Sequence, residues 1–282
     1  MRVFIFLEHT IDAFRFDNNH LNILQETYPD WEFTHVNSEN ELVLNLSECE
    51  LLITWYFKPK WYDLSPNLLA IFTPAAGHDW IARKSGIPVF HGSFHGQIMA
   101  ESLLSMILFF NRKLNSSIVN YNNHVWERNY LSSTHSLNFQ QALIIGFGSI
   151  GRTCAKILKA FGCKVIGVKR SPYDPLTDKC ADNIVAPENI DTVLSQADHV
   201  ISFLPGNSST DNFFTKSFFE KMKPSSYFYC LGRGNCYSEN DLAWCLKNKV
   251  IAGAGLDVCH EYILMYVNEL INHLKTFYDK NS

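Results

Sequence analysis

The chain has 282 residues, with 24 Lys and Arg against 28 Asp and Glu, a formal net charge of −4. Hydrophobic residues make up 46% and charged residues 18%, ordinary globular usage that excludes an intrinsically disordered chain. There is no basic excess to neutralise phosphates and no apolar run near the roughly 18 residues of a membrane span, so neither nucleic acid nor a membrane is expected as a partner.

The opening MRVFIFLEHTIDAF is a short apolar run that Glu8 interrupts, with no small-residue cleavage site behind it; it reads as a first strand rather than a signal peptide. At about 100–200 residues per domain the length predicts two domains. Further strands are predicted at 51–54, 69–72 and 89–90, with helices at 20–28, 40–47 and 76–85. Such alternation predicts parallel strands joined by crossover helices. One long apolar-faced helix follows at 99–114, and then a polar, aromatic-spotted stretch where the chain is expected to pass between domains. A second alternating series has strands predicted at 141–145, 164–168, 183–185, 199–204, 227–231 and 252–256, and helices at 149–161, 189–196, 215–221 and 239–248. A closing helix is predicted at 261–277. The expected fold is α/β, with a flavodoxin-like first lobe and a doubly wound dinucleotide-binding domain, both on parallel sheets. The eight cysteines form no C-x-x-C pair and several lie in apolar segments, so reduced thiols in a cytoplasmic protein are expected, with no metal site.

The most informative segment is ALIIGFGSIG, residues 142–151. Gly146, Phe147, Gly148, Ser149, Ile150 and Gly151 complete a G-x-G-x-x-G that follows an apolar strand and opens a helix with Ile150, Cys154, Ile157, Leu158 and Phe161 on one face. In that context Gly146 permits a tight turn, Gly148 lets backbone approach a pyrophosphate, Gly151 lets helix pack on strand, and the helix N-terminus faces the phosphates. An NAD site expects Asp or Glu about 20 residues on, for the ribose 2′-hydroxyl. Here the next strand ends in Lys169, Arg170 and Ser171 instead, two cations and a hydroxyl suited to a 2′-phosphate. NADP(H) is therefore the expected cofactor, with NAD(H) the alternative. Beyond the 227–231 strand, Arg233 stands between Gly232 and Gly234, where an Arg can hold a carboxylate or ketone oxygen with two parallel bonds.

The run KMKPSSYFYCLGRGNCYSENDLAWCLKNKVIAGAGLDV (221–258) closely resembles the D-isomer-specific 2-hydroxyacid dehydrogenase family, which includes glyoxylate/hydroxypyruvate reductases. ADHVISFLPGNSST (197–210), AESLLSMILFFNR (100–112) and IFTPAAGHDWIARKSGIPVF (71–90) are similar to further family segments in the same order. The resemblance implies an outer, substrate-binding lobe of residues 1–111 plus 259–282 and an NAD(P)-binding lobe of 112–258, with the active site in the cleft between them. It implies that Arg233 binds a small 2-keto or 2-hydroxy acid and that backbone amides near Ala75, Ala76 and Gly77 hold its carboxylate. Asp257 would lie near the nicotinamide carboxamide, with Cys230, Leu231 and Gly232 lining that end, and Leu204, Pro205 and Thr210 would serve the adenosine and phosphate side. A homodimer is implied as well.

One part of the pattern breaks. The family supplies Glu in an acid-Pro motif after the LDV strand and His in a later Pro-His motif, whereas the last proline here is Pro224. After Leu256-Asp257-Val258 the chain runs Cys259-His260-Glu261-Tyr262, so the loop carrying the acid/base pair is missing between about 258 and 261. An internal deletion, an omitted loop and a takeover by His260 and Glu261 all remain open, and Glu261 is the candidate acidic partner. The implied activity is a weakened reductase; the alternative is a non-catalytic NAD(P)H-binding regulator or sensor.

Overall fold

The computed structural model describes residues 1–9, 11, 14–77, 79–170 and 179–259. The backbone divides into two compact units, the first ending at His95 and the second beginning at Gly96.

In the first unit β1 (Arg2–Phe6), β2 (Glu32–His35), β3 (Leu51–Thr54), β4 (Ala70–Thr73) and β5 (Val89–His91) form one sheet in the order β2-β1-β3-β4-β5. Every pairing is parallel. This is the flavodoxin-like order, with its switch point between β1 and β3. Helix α1 (Asn18–Thr27) starts where the Asp17 carboxylate accepts from the amides of Asn19 and His20, both at 3.0 Å. Its Leu21 and Leu24 pack on the β1 face around Val3 and Ile5. Helix α2 (Glu39–Asn45), capped by Ser38, places Leu42 in the opposite core with Leu52, Phe57, Trp61 and Ile71. The predicted helix at 76–85 does not form. Ile81 makes a parallel bridge with Phe57 instead, with Phe57 N donating to Trp80 O at 3.0 Å and Ala82 N to Phe57 O at 2.9 Å. Those bonds occupy the backbone groups that a helix would need.

From its second residue on, α3 (His95–Asn111) belongs to the second unit, and α4 (Leu114–Asn122) follows it after Lys113, which is left-handed at φ 53°. Six parallel strands follow: β6 (Gln141–Ile145), β7 (Lys164–Val168), β8 (Asn183–Val185), β9 (His199–Ser202), β10 (Tyr227–Cys230) and β11 (Gly253–Leu256). Their order is β11-β10-β9-β6-β7-β8. Renumbered within the unit this is 6-5-4-1-2-3, the doubly wound dinucleotide-binding order. Helix α5 (Ser149–Ala160) buries Gly151, Cys154, Ala155 and Leu158 on one face of the sheet. Helix α3 buries Ala100, Leu103 and Ile107 beside Ile144 and Tyr229 of this second sheet. On the other face α6 (Asp191–Leu194), α7 (Lys216–Phe219) and α8 (Glu239–Lys247) cover Phe214, Phe219 and Phe228. A buried polar chain crosses the amino edge: Asn111 Nδ2 donates to Gln140 Oε1 at 2.6 Å, His199 Nε2 lies 3.0 Å from that oxygen, and His199 Nδ1 lies 3.1 Å from the Tyr229 hydroxyl.

Candidate active site

Three strands of the second sheet end level. Ile145 pairs with Ser202, and Ser202 with Cys230, so the loops after β6, β9 and β10 leave the same carboxyl edge side by side. In doubly wound sheets ligands bind beyond this edge.

Gly146 begins the first loop with φ +94°, a conformation L side chains rarely adopt. A Cβ there would stand 2.7 Å from the Phe203 carbonyl carbon and 3.0 Å from Leu204 N. The amides of Gly146 and Phe147 both donate to Val168 O, at 3.3 and 3.0 Å, which folds the turn toward the end of β7. Gly148 differs: a Cβ there meets nothing within 4 Å, so the space above it is open. Gly148 is the N-cap of α5 and no side chain caps the helix, leaving the first-turn amides of Ser149, Ile150 and Gly151 available to an anion. A Cβ on Gly151 would come 2.9 Å from Gly146 O, so the third glycine seats helix on turn. The Phe147 ring points the other way; it is 1% exposed, and a Cβ on Gly167 would lie 2.6 Å from it. Phe147 thus offers backbone to the site and its ring to the core.

Beside this turn lies a cavity of about 460 Å³. The glycine turn, Lys169 and Arg170 line one part of it, and Leu204, Pro205 and Thr210 another. A turn in which Gly146 and Gly151 leave no room for a side chain, uncapped helix amides, open space above Gly148 and two cations suit a dinucleotide diphosphate. Pro187, Ile190 and Phe213 complete an apolar side that carries no recognisable spacing in the sequence. The Thr210 hydroxyl donates to Pro205 O at 2.5 Å and accepts from Asn207 N at 3.1 Å, so it shapes the 205–210 loop from within.

The β10 loop packs against the same backbone. A Cβ on Gly232 would strike Leu204 O and stand 2.9 Å from the Phe203 carbonyl carbon, so Gly146 and Gly232 press on one peptide group. Arg233 follows, half-buried, with Nη1 donating to Gly232 O at 3.1 Å. Its Cγ lies 3.0 Å from where a Gly206 Cβ would be. Arg233 therefore shares the carboxyl edge with the glycine turn. Leu231 is buried, and so is Cys230, whose thiol burial pushes up to about 12; it stays protonated and unreactive. Asp257 N donates to Cys230 O at 2.9 Å, and burial raises the Asp257 carboxyl above its ordinary value. Ser171 and Glu261 lie outside the described residues. Ala75, Ala76 and Gly77 follow β4 at the carboxyl edge of the first sheet, all half-buried. Among the described residues no group of three or more His, Cys, Asp or Glu could hold a metal.

Fold and glycine turn together define a dinucleotide-binding α/β protein. Residues 104–278 match the family model described as "D-isomer specific 2-hydroxyacid dehydrogenase, NAD binding domain", and the chain belongs to that family. A Dictyostelium discoideum protein described as "Probable 2-ketogluconate reductase" is 30% identical over 80% of this chain and 71% of its own length. The human glyoxylate reductase/hydroxypyruvate reductase is 29% identical over 68% of this chain, which spans 60% of the human protein. Among solved structures, the NADPH-dependent glyoxylate/hydroxypyruvate reductase of Sinorhizobium meliloti, in complex with NADP and sulfate, superposes with a TM-score of 0.76 at 22% identity, covering 92% of this chain and 81% of that one.

Proposed function

We propose that the chain reduces a small 2-keto acid of the glyoxylate or hydroxypyruvate type to the D-2-hydroxy acid, with NADPH preferred over NADH. The observation that carries this reading is the placement of Arg233 and the glycine turn on one carboxyl edge, pressed against the same Phe203–Leu204 peptide. Gly146–Gly151 and the first-turn amides of α5 would hold the pyrophosphate, and Lys169 and Arg170 the 2′-phosphate; the nicotinamide bound there supplies a hydride. Arg233 anchors the keto acid and polarises its carbonyl, while the amides of 75–77 take the carboxylate. Asp257, Cys230, Leu231 and Gly232 border the nicotinamide end.

The proton for the new hydroxyl has no assigned donor, with Glu261 the candidate acidic partner. Loss of a general acid typically costs about 10²–10⁴ in rate, so slow turnover is expected. Oxidation of NADPH by glyoxylate and hydroxypyruvate, compared between wild type and Arg233→Ala, tests the reading: turnover that Arg233→Ala leaves intact would refute it. The absent Pro-His motif favours a second reading, a regulator that binds NAD(P)H without turnover, and binding with no oxidation of NADPH would select it.

A cytoplasmic homodimer belongs to the same proposal. All eight cysteines are free, and Tyr121, Trp126 and Phe139 are 81%, 90% and 87% exposed, side chains that a second copy would cover. Sedimentation of the wild type at twice the chain mass supports the dimer; a monomer at micromolar concentration rejects it.

A further inference from the structure

The loop after β10, which carries Arg233, is fastened to the 205–214 loop, whose Pro205, Ser209, Thr210 and Phe213 line the cavity. Arg233 is extended, at φ −140° and ψ 139°, and the chain then makes one short 3₁₀ turn, Gly234–Cys236. Three backbone bonds tie this turn and its exit to the neighbouring loop. Asn212 N donates to Asn235 O at 2.8 Å, Phe214 N to Cys236 O at 2.9 Å, and Ser238 N to Phe214 O at 3.1 Å. Asn212 reaches its acceptor from a left-handed conformation at φ 47°, which asparagine tolerates better than most residues. Main chain therefore holds the two loops together, whatever side chain stands at 235.

The Asn235 carboxamide does something further. Its Nδ2 donates to Asp211 Oδ1, which stops the amide from turning. Its Oδ1 then faces Gly206, 3.0 Å from where a Cβ there would stand. Arg233 crowds the same point, with Cγ at 3.0 Å and Cβ at 3.4 Å. The arginine stem thus lies in a slot formed by a glycine without a side chain and an amide that is locked in place. Each torsion of a free arginine stem has three staggered wells, and a guanidinium grips a carboxylate with two parallel bonds only when its plane is aimed.

We infer that Asn235, held by Asp211, is a positioning residue that fixes the stem of Arg233 and so aims its guanidinium. This rests on the function proposed above for the carboxylate that Arg233 anchors, and it gives a task to two residues that no motif in the sequence singles out. A torsion released into three wells leaves the competent rotamer populated about a third of the time, so freeing one or two torsions weakens a bound carboxylate about three- to tenfold.

The test uses the full chain saturated with NADPH, titrated with oxamate, a non-reducible 2-keto acid analogue. Relaxation of the Arg233 Nε–H signal, identified by its loss in Arg233→Lys, reports the order of the side chain. In Asn235→Ala and in Asp211→Ala that signal is expected to lose order, with oxamate weakened about three- to tenfold. The double variant is expected to be no weaker than either single one, because the pair acts as a unit. Asp211→Asn, which keeps an acceptor for the amide, is expected to restore most of the loss. NADPH affinity and the melting temperature are expected to stay at wild-type values, since backbone bonds hold the loop. Arg233 order or oxamate affinity unchanged in Asn235→Ala, or losses that add in the double variant, would overturn the inference. So would NADPH affinity that falls in step with oxamate, which marks a loosened loop rather than a misdirected guanidinium. Failure of the proposed function looks different: the wild type binds no oxamate and glyoxylate oxidises no NADPH, while the Arg233 signal still loses order in Asn235→Ala.

Discussion

The carboxyl edges of the two sheets differ in construction. On the second, the loop from Gly146 to Gly151 is shaped by steric needs repeated at fixed spacing: a positive φ at Gly146, open space at Gly148 and a close helix contact at Gly151. On the first, the 74–77 turn is held by Gly92, which is distant in sequence, and is flanked by His95 at the head of α3. One edge is encoded locally and the other only by tertiary packing. A local motif is readable in a single sequence, whereas a pinch between two strands leaves no spacing to find.

This contrast can be broken at either edge. The largest effect is expected at Arg233, where Arg233→Ala should lower kcat/KM for glyoxylate about 10²–10³-fold, the loss of a bidentate charged contact. A smaller fall in steady-state assays would move the anchor elsewhere. Gly146→Ala should then destabilise the second unit by about 3 kcal/mol, since the methyl meets the Phe203 backbone at an unfavourable φ; urea unfolding measures it, and an unchanged midpoint would contradict the geometry. Gly148→Ala sharpens the point: stability is expected within about 0.5 kcal/mol of wild type, while NADPH affinity falls because the methyl enters the space proposed for the pyrophosphate.

A pH effect of similar size belongs to the core of the second unit. Burial pushes His199 down to about 4 from an ordinary 6.5. Between those values the unfolded chain binds a proton that the folded chain refuses. The stability from this group is therefore full above pH 6.5 and declines as pH falls toward 4, by about 3 kcal/mol in all. Urea unfolding at pH 7 and 4.5 should show a slope that His199→Gln flattens; equal slopes in both proteins would exclude His199 as the cause. The smallest expected effect is on cofactor choice. Lys169→Ala with Arg170→Ala should raise KM for NADPH about tenfold and leave KM for NADH in place, and parallel changes in both would remove these residues from 2′-phosphate binding.

Much of this architecture can be read from residues alone. The apolar runs at 51–54, 141–145 and 164–168 become β3, β6 and β7 at those bounds, because strands buried on both faces read as continuous apolar stretches. Short or polar elements are less visible: β2, with sequence EFTH, carries too little apolar pattern, and α4, rich in Asn and Ser, resembles a loop. The 76–85 stretch has helical periodicity but spends its backbone bonds on Phe57. In the site, the glycines and Arg233 announce themselves by spacing and flanks. The Thr210 hydroxyl, turned inward on Pro205, depends on contacts no periodicity encodes.

Equilibrium titration of the purified chain with NADPH, followed by nucleotide fluorescence, addresses the central placement most directly. Saturable binding is expected, abolished in Gly146→Ala and within twofold of wild type in Arg233→Ala, because in the proposed function guanidinium and glycine turn share an edge but serve different molecules. Failure to take up either NADPH or NADH, or equal binding by the Gly146→Ala protein, would contradict the account.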